Sequence, residues 1–152
     1  MHPFPAILLF LGAHGGDPER LASYEAILAA LSEGRTVHVV LYYPECRLRV
    51  GDAVMKPPES SAGLTFGAWE AFARGAVGND RAYLTVSETR MVAHARRGPV
   101  WNYLRLRLYD DGEVELQARN ILPADFSVIM DNLFTCAIDP GTGKGGASFY
   151  TD

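Results

Sequence analysis

Near the start of the chain, apolar residues recur at intervals of three and four positions, while Glu25 falls on the opposite face of the same helix. The apolar stripe consists of Leu21, Tyr24, Ile27, Leu28 and Leu31. This spacing predicts an amphipathic helix over residues 21–31. Gly34 suits the left-handed residue that ends a helix, whereas two N-caps are open, Asp17 before Pro18 and the later Ser23.

The hydrophobic period then changes to two, which is typical of a strand. One side carries Val37, Val39, Leu41 and Tyr43, and the other carries His38, Val40 and Tyr42. Because both faces are so apolar, the strand is predicted to be central in its sheet. Residues 57–63, with two prolines and small polar side chains, predict an exposed loop. An apolar stretch over residues 63–72 follows, and residues 81–93 predict another strand.

Residues 101–119 predict a β-hairpin, because apolar and polar side chains alternate along both of its arms. A two-residue turn would place apolar residues opposite polar ones. A three-residue loop, residues 110–112, instead sets Leu108 opposite Val114 on the apolar face. That loop needs a left-handed residue at its end, which Gly112 supplies without steric cost.

The last third of the chain also favours strands. Residues 126–138 predict one strand or a pair, residues 139–146 a flexible glycine-rich turn, and residues 147–150 a short last strand. The element order leaves few long crossovers after Arg35, so the strands should be largely antiparallel. We therefore expect an α+β fold with one N-terminal helix packed on a largely antiparallel, curled sheet or small barrel.

Composition and charge limit the partners. The chain of 152 residues is 48% hydrophobic, which is enough for one domain with its own core. Its formal charge of -4 gives no electrostatic reason to bind a polyanion, so nucleic acid is not an expected partner. The terminal apolar run, residues 5–11, is too short for a transmembrane helix, so no membrane span is expected.

Residues 1–20 have two interpretations. The apolar run of residues 5–11 and the small residues after it fit a secretory leader, although no Lys or Arg precedes the run. The alternative is a first strand or docked N-terminal segment. Residues 21–152 are expected to form a single domain.

The two cysteines, Cys46 and Cys136, lie far apart and belong to no metal-binding spacing. A disulfide between them would suit an oxidising compartment and would stabilise the fold by roughly 4 kcal/mol in entropy models. Two buried thiols in a reducing compartment are the alternative. The disulfide is favoured.

No cofactor or metal is expected. The four histidines, at positions 2, 14, 38 and 94, show no ligand spacing. The run at residues 141–146 invites a P-loop interpretation, but Ile138 stands where that motif needs glycine and Gly145 where it needs Ser or Thr. It is better explained as a glycine-rich turn.

Several short fragments follow one another in a characteristic order and spacing. They are residues 78–83 (GNDRAY), 87–90 (SETR), 98–105 (GPVWNYLR), 109–112 (YDDG), 114–115 (VE), 118–119 (AR) and 130–131 (MD) with Phe134, preceded by residues 23–24, residues 30–31, Gly34 and Cys46. Together they resemble the VirK family over most of the chain from Leu21. The resemblance implies a secreted or periplasmic protein, associated with virulence in plant-associated bacteria, and supplies no catalytic residues.

The first candidate site is the polar run Ser87, Glu88, Thr89 and Arg90 in the strand of residues 81–93. Glu88 and Arg90 share a face with the apolar Leu84 and Val86. If that face points inward, the two charges must pair or face a wet cavity, because an isolated buried charge is costly. A ligand pocket would satisfy both, while a structural ion pair or a bulge is the alternative interpretation.

The second candidate site is the polar face of the hairpin. Its ligand-binding candidates are Tyr103, Arg105, Arg107, Glu115 and Arg119, with Gln117 beside them. The predicted register sets Arg107 opposite Glu115. Arginines on this face could bind the carboxylate or phosphate of a small molecule or glycan. The alternative is the solvated outside of a sheet, and Trp69 and Trp101 are expected in the core.

These observations favour a non-catalytic exported domain that binds a small molecule, a glycan or a host protein. The alternative is an enzyme of unknown reaction that uses Glu88 and Arg90. A triad of Ser87, His94 and a carboxylate has no supporting local motif.

Overall fold

The computed structural model describes residues 17–152. The leader predicted within residues 1–20 lies mostly outside this range. The elements in chain order are β1 (Glu19–Leu21), α1 (Tyr24–Ser32), β2 (Val37–Tyr42), a 3-10 turn (Tyr43–Glu45), β3 (Arg47–Val50), β4 (Ala53–Met55), β5 (Ser61–Thr65), β6 (Trp69–Phe72), β7 (Tyr83–His94), β8 (Gly98–Tyr109), β9 (Glu113–Ile121), β10 (Val128–Ile138) and β11 (Gly146–Thr151).

All the strands belong to one sheet, whose main path runs β5-β2-β11-β10-β9-β8-β7-β6, with β1 on β11 and β3 between β10 and β4. Every pairing is antiparallel except the short contact between β10 and β11. The predicted helix on a curled, largely antiparallel sheet is therefore confirmed. The helix is small and the sheet stays open between β5 and β6, so the domain is a mostly β half-barrel.

Helix α1 begins later than its apolar stripe suggested. Ser23 has an extended backbone, and its hydroxyl accepts a hydrogen bond of 3.2 Å from the Ala26 N–H, so Ser23 is the N-cap. Leu21 lies in β1 and pairs with β11 instead. At the other end Gly34 has a φ of 79°, and the Arg35 N–H bonds back to the Ala30 carbonyl, which completes a Schellman motif.

The hairpin of β8 and β9 has the predicted register. Leu108 lies opposite Val114 and Leu106 opposite Leu116, and Gly112 in the loop has a φ of 86°. Strand β2 is central, as predicted, between β5 and β11. Only one of its faces is buried, however, since Val40 on the other face is 46% exposed.

The loop predicted over residues 57–63 is shorter in the structure. Its last residues, from Ser61, belong to β5, where Gly63 pairs with Val40. Edge strands tolerate small and glycine residues because one side of the strand needs no partner, and β5 ends the main path of the sheet. The prediction was therefore wrong for Ser61–Gly63.

The core fills the concave side of the sheet, beneath α1. Its buried side chains include Tyr24, Ile27 and Leu31 of α1 and Val37, Val39, Leu41, Leu84, Val86, Leu104, Leu106, Leu108, Val114, Leu116, Phe134 and Phe149 of the strands. The disulfide between Cys46 and Cys136 is present and buried in this core. It ties the turn after β2 to β10, and the alternative of two free thiols was wrong.

The glycine-rich turn is folded around a single carboxylate. Asp139 Oδ1 accepts hydrogen bonds from the N–H groups of Gly141, Thr142 and Gly143, and Arg20 lies 3.5 Å from Oδ2. These hydrogen bonds, led by that from Gly141, lower the pKa of Asp139. The loop therefore satisfies its N–H groups internally, unlike a phosphate-binding loop.

Candidate functional site

The convex face of the sheet carries an open cleft of about 550 Å³ where β6, β7 and β8 meet. We call it the arginine cleft. Its lining residues are Ala68, Trp69, Glu70, Phe72, Tyr83, Thr85, Val86, Ser87, Tyr103, Arg105 and Arg107. The β7–β8 register accounts for the polar part, because it places Ser87 opposite Arg105 and Thr85 opposite Arg107. Strand β6 adds the aromatic wall.

The two arginines of the cleft stand on neighbouring outward positions of β8. The Arg107 guanidinium lies 4.9 Å from the centroid of the Tyr83 ring, which in turn stacks on Phe72 at 5.0 Å. Within residues 17–152, neither Arg105 nor Arg107 has a carboxylate within 4.0 Å, and the buried Nε of Arg107 has no hydrogen-bond partner. The cleft thus holds two guanidinium groups without a carboxylate partner among the described residues.

Glu115 and Arg119, the other candidates on this face, are engaged elsewhere. Glu115 lies opposite Arg107 in the register, as predicted, but its carboxylate accepts a hydrogen bond of 2.9 Å from the Tyr109 hydroxyl. Burial and this hydrogen bond raise the pKa of Tyr109. Arg119 Nε lies 3.1 Å from Asp131 Oδ2, and this arginine lowers the pKa of Asp131. Neither side chain lines the arginine cleft.

Glu88 and Arg90 lie in a second cleft of about 460 Å³, which we call the edge cleft. It separates β7 from the other end of the curled sheet, at Gly63 and Thr65 of β5. The Arg90 Nε lies 3.0 Å from Glu88 Oε1, and the two side chains are 54% and 39% exposed. They form an ion pair at an open rim, so neither charge is buried and unpaired.

We expect Glu88→Gln to lower the free energy of unfolding by less than about 1 kcal/mol, because solvent screens a pair this exposed. Urea unfolding at low and high salt measures the change. Glu19→Gln, which breaks the exposed pair between Glu19 and Arg35, is the matched control. A loss above about 2 kcal/mol, well beyond exposed pairs, would show that the pair is structurally essential.

Of the remaining candidates, Ser87 and Tyr103 line the clefts, whereas Thr89 lines neither of them. Ser87 lines both clefts, Tyr103 lines the arginine cleft, and Thr89 lies opposite Tyr103 on the β7–β8 pair. Trp69 is half-buried against the core and lines the arginine cleft, and Trp101 is half-buried on the convex face. Trp69 thus packs against the core, as expected, whereas Trp101 on the convex face does not. The sequence did not identify Trp69 and Phe72 as cleft residues. They lie in β6, and no local pattern predicts that β6 pairs with β7.

Among residues 17–152, no group of three or more His, Cys, Asp or Glu side chains is arranged to hold a metal ion. Asp, Glu and His contribute only Glu70 to the lining of the arginine cleft. The arginines and aromatic rings of the cleft are side chains of the kinds that bind anions and stack on ligands.

In residues 17–152, no helix combines the length and apolar character that crossing a membrane requires.

Comparisons with known proteins agree with the residues that carried the family resemblance. The crystal structure of lpg1832, a VirK family protein from Legionella pneumophila, aligns with a TM-score of 0.66 at 15% identity and covers 86% of this chain and 97% of that one. At this identity the likeness shows a shared fold. No curated protein matches the sequence significantly. The model of the VirK protein family matches residues 20–126, most of the chain. This chain therefore belongs to the VirK family.

Proposed function

We propose that this protein is a non-catalytic binding domain whose arginine cleft holds an anionic small molecule or an acidic glycan. The observation that carries the proposal is the pair Arg105 and Arg107, which face the cleft without a carboxylate partner in the described chain. Arginine guanidinium groups bind carboxylate and phosphate through paired hydrogen bonds.

The neighbouring side chains support a sugar-like ligand. The half-buried ring of Tyr103 offers an apolar face beside the arginines, and Ser87 offers a hydroxyl. Saccharide rings pack their C–H faces on such rings while their hydroxyls bond to polar neighbours. Glu70 at the exposed side of the cleft adds an acceptor for ligand hydroxyl groups.

We also propose that the domain acts outside the reducing cytosol, secreted or in the periplasm, where a host protein is a further class of partner. The buried disulfide supports this location, because such bonds persist in oxidising compartments. Mass spectrometry of the protein recovered from periplasmic and culture fractions tests it, and an exclusively cytosolic protein with both thiols reduced would contradict it.

Calorimetric titration with glucuronate, galacturonate and inorganic phosphate tests the cleft, with glucose as the uncharged probe. We expect at least one anion to bind and glucose not to bind. Arg105→Gln and Arg107→Gln should each weaken that binding by about tenfold or more, because each removes a charge-assisted hydrogen bond. Arg107→Lys should recover only part of the affinity, because lysine lacks the planar donor pair.

Arg49→Gln is the matched control, since Arg49 lies on the same convex face, opposite Leu133 of β10, but outside the cleft. It removes the same charge and should leave binding within about twofold. Equal weakening by Arg49→Gln would show that the anion responds to net charge alone. Failure of every anion to bind the wild type would contradict an anionic ligand.

An enzyme acting through Glu88 and Arg90 is the second candidate, favoured by their shared position in the edge cleft. Their mutual ion pair argues against it, because the Arg90 guanidinium already occupies the Glu88 carboxylate. Turnover of a probe that is abolished in Glu88→Gln while its binding persists would establish the enzyme and overturn the binding-only proposal.

A further inference from the structure

A row of apolar side chains crosses four neighbouring strands at one end of the sheet. Met91 of β7 lies opposite Trp101 of β8, Trp101 opposite Ile121 of β9, and Ile121 opposite Val128 of β10. Together with Phe126, from the turn between β9 and β10, they form what we call the distal patch. A shallow apolar pocket of about 250 Å³ lies among Trp101, Ile121 and Phe126.

The distal patch is open to solvent. Phe126 is 75% exposed, Met91 54% and Val128 50%. Single exposed apolar residues are ordinary, but a contiguous row that includes two aromatic rings marks an interaction surface. It adjoins the arginine cleft at Tyr103, which lines both the apolar pocket and the cleft, and Arg105 and Arg107 lie further along the same strands.

Phe126 is held outward by its backbone. It is the only non-glycine residue among residues 17–152 with a positive φ, 59°. Hydrogen bonds from the Phe126 N–H to the Leu122 carbonyl and from the Leu122 N–H to the Ser127 carbonyl hold the turn. A bulky aromatic residue in the left-handed region costs conformational energy, and this one gains little burial in return. Such strain at an exposed ring points to a role in recognition.

The charges around the patch favour an anionic partner. Arg96 and Arg97 occupy the adjoining tip of the β7–β8 hairpin and have no ion-pair partner in the described chain. Glu88 and Arg90 neutralise each other nearby, and Asp125 is the carboxylate in the neighbouring turn. The chain as a whole is acidic, at -4. The distal end thus carries two cationic side chains beside its apolar row.

We propose that the distal patch docks the domain on the surface of a bilayer that contains anionic lipids. Phe126, Met91 and Trp101 insert at the level of the headgroups, where aromatic and apolar side chains are favoured, and Arg96 and Arg97 contact lipid phosphates. Arg96 and Arg97 give this end the positive charge that an anionic surface attracts.

Sedimentation with vesicles of phosphatidylglycerol and phosphatidylcholine, against vesicles of phosphatidylcholine alone, tests the docking. We expect binding to the anionic vesicles that weakens with salt. Phe126→Gly should weaken it about tenfold, since it removes the largest exposed ring. The substitution relieves the positive φ, so its melting temperature should equal or exceed that of the wild type, which excludes misfolding as the cause.

Two further variants separate the contribution of the arginine charges to vesicle binding from that of exposed apolar side chains in general. The double variant Arg96→Gln and Arg97→Gln should weaken binding to anionic vesicles by more than tenfold, because each lost charge weakens it by about fivefold. Val54→Gly removes an apolar side chain that is 67% exposed on β4, away from the patch, and should leave vesicle binding unchanged. In a Trp69→Phe background, the fluorescence of Trp101 should shift to the blue on binding.

Three results would overturn the proposal. The first is no binding to anionic vesicles at millimolar lipid, and the second is equal binding by wild type and Phe126→Gly. The third is light scattering that shows a dimer lost in Phe126→Gly, because the patch would then be covered by a second copy of the chain.

Discussion

Removing the disulfide with Cys46→Ala and Cys136→Ala is expected to lower the free energy of unfolding by about 4 kcal/mol. The two cysteines lie 90 residues apart, so the bond closes a loop over more than half of the described chain. In the chain-entropy model, a crosslink of this span stabilises mainly by restricting the unfolded ensemble. A typical domain is stable by about 5 to 15 kcal/mol, so this loss is a large fraction of the total.

Urea unfolding of the wild type and the double variant, each with and without a phosphine reductant, measures the effect. The wild type should lose stability in reductant, whereas the double variant should be indifferent to it. Because Cys46 and Cys136 are only 7% and 6% exposed, reduction should be slow until urea opens the fold. Equal midpoints for oxidised and fully reduced wild type would contradict the expectation.

The β8–β9 hairpin shows how much of this fold can be predicted from the local sequence. Only a three-residue loop keeps Leu108 and Val114 on one face, and Gly112 is the residue that such a loop requires. Alternation and turn chemistry together leave one register. The start of α1 shows what a periodic pattern cannot predict. Leu21 fits the apolar stripe of the helix, but in the structure it lies in β1 and pairs with β11.

Long-range pairings were less predictable, because strand order leaves no periodic trace in the sequence. The parallel contact of β10 with β11 and the position of β5 at the end of the main path depend on distant partners. The distal patch likewise exists only once four strands are in register, although Met91, Trp101 and Ile121 are individually unremarkable. The positive φ of Phe126 could not be predicted from the sequence, because glycine or asparagine usually occupies such positions.

The candidate site was predictable in part for the same reason. Alternation alone places Arg105 and Arg107 on the outward face of β8 beside Tyr103, and the structure adds Ser87 from β7. Alternation cannot tell which carboxylate an arginine will meet. Glu115 accepts a hydrogen bond from the Tyr109 hydroxyl and forms no ion pair with Arg107, although the two residues are in register.

Gly146→Ala is expected to destabilise the protein by about 2 to 4 kcal/mol. Gly146 has a φ of 87°, which costs any L side chain conformational energy. An added Cβ would also lie 2.7 Å from Cys46 Sγ and 3.2 Å from the Tyr42 carbonyl oxygen, with no room to move in the core. Thermal and urea unfolding measure the loss.

Gly143→Ala is the matched control for the strained backbone. Gly143 also has a positive φ, 74°, but an added Cβ there meets nothing within 4 Å. Gly143→Ala should therefore lower the free energy of unfolding only by the cost of a positive φ, about 1 to 2 kcal/mol. Gly146→Ala should therefore destabilise the protein more than Gly143→Ala does. This difference should shrink when Gly146→Ala is combined with Cys46→Ala and Cys136→Ala, because the closest atom, Cys46 Sγ, is then absent. Equal costs for Gly146→Ala in both backgrounds would place the clash on the backbone of Tyr42 instead of on the disulfide.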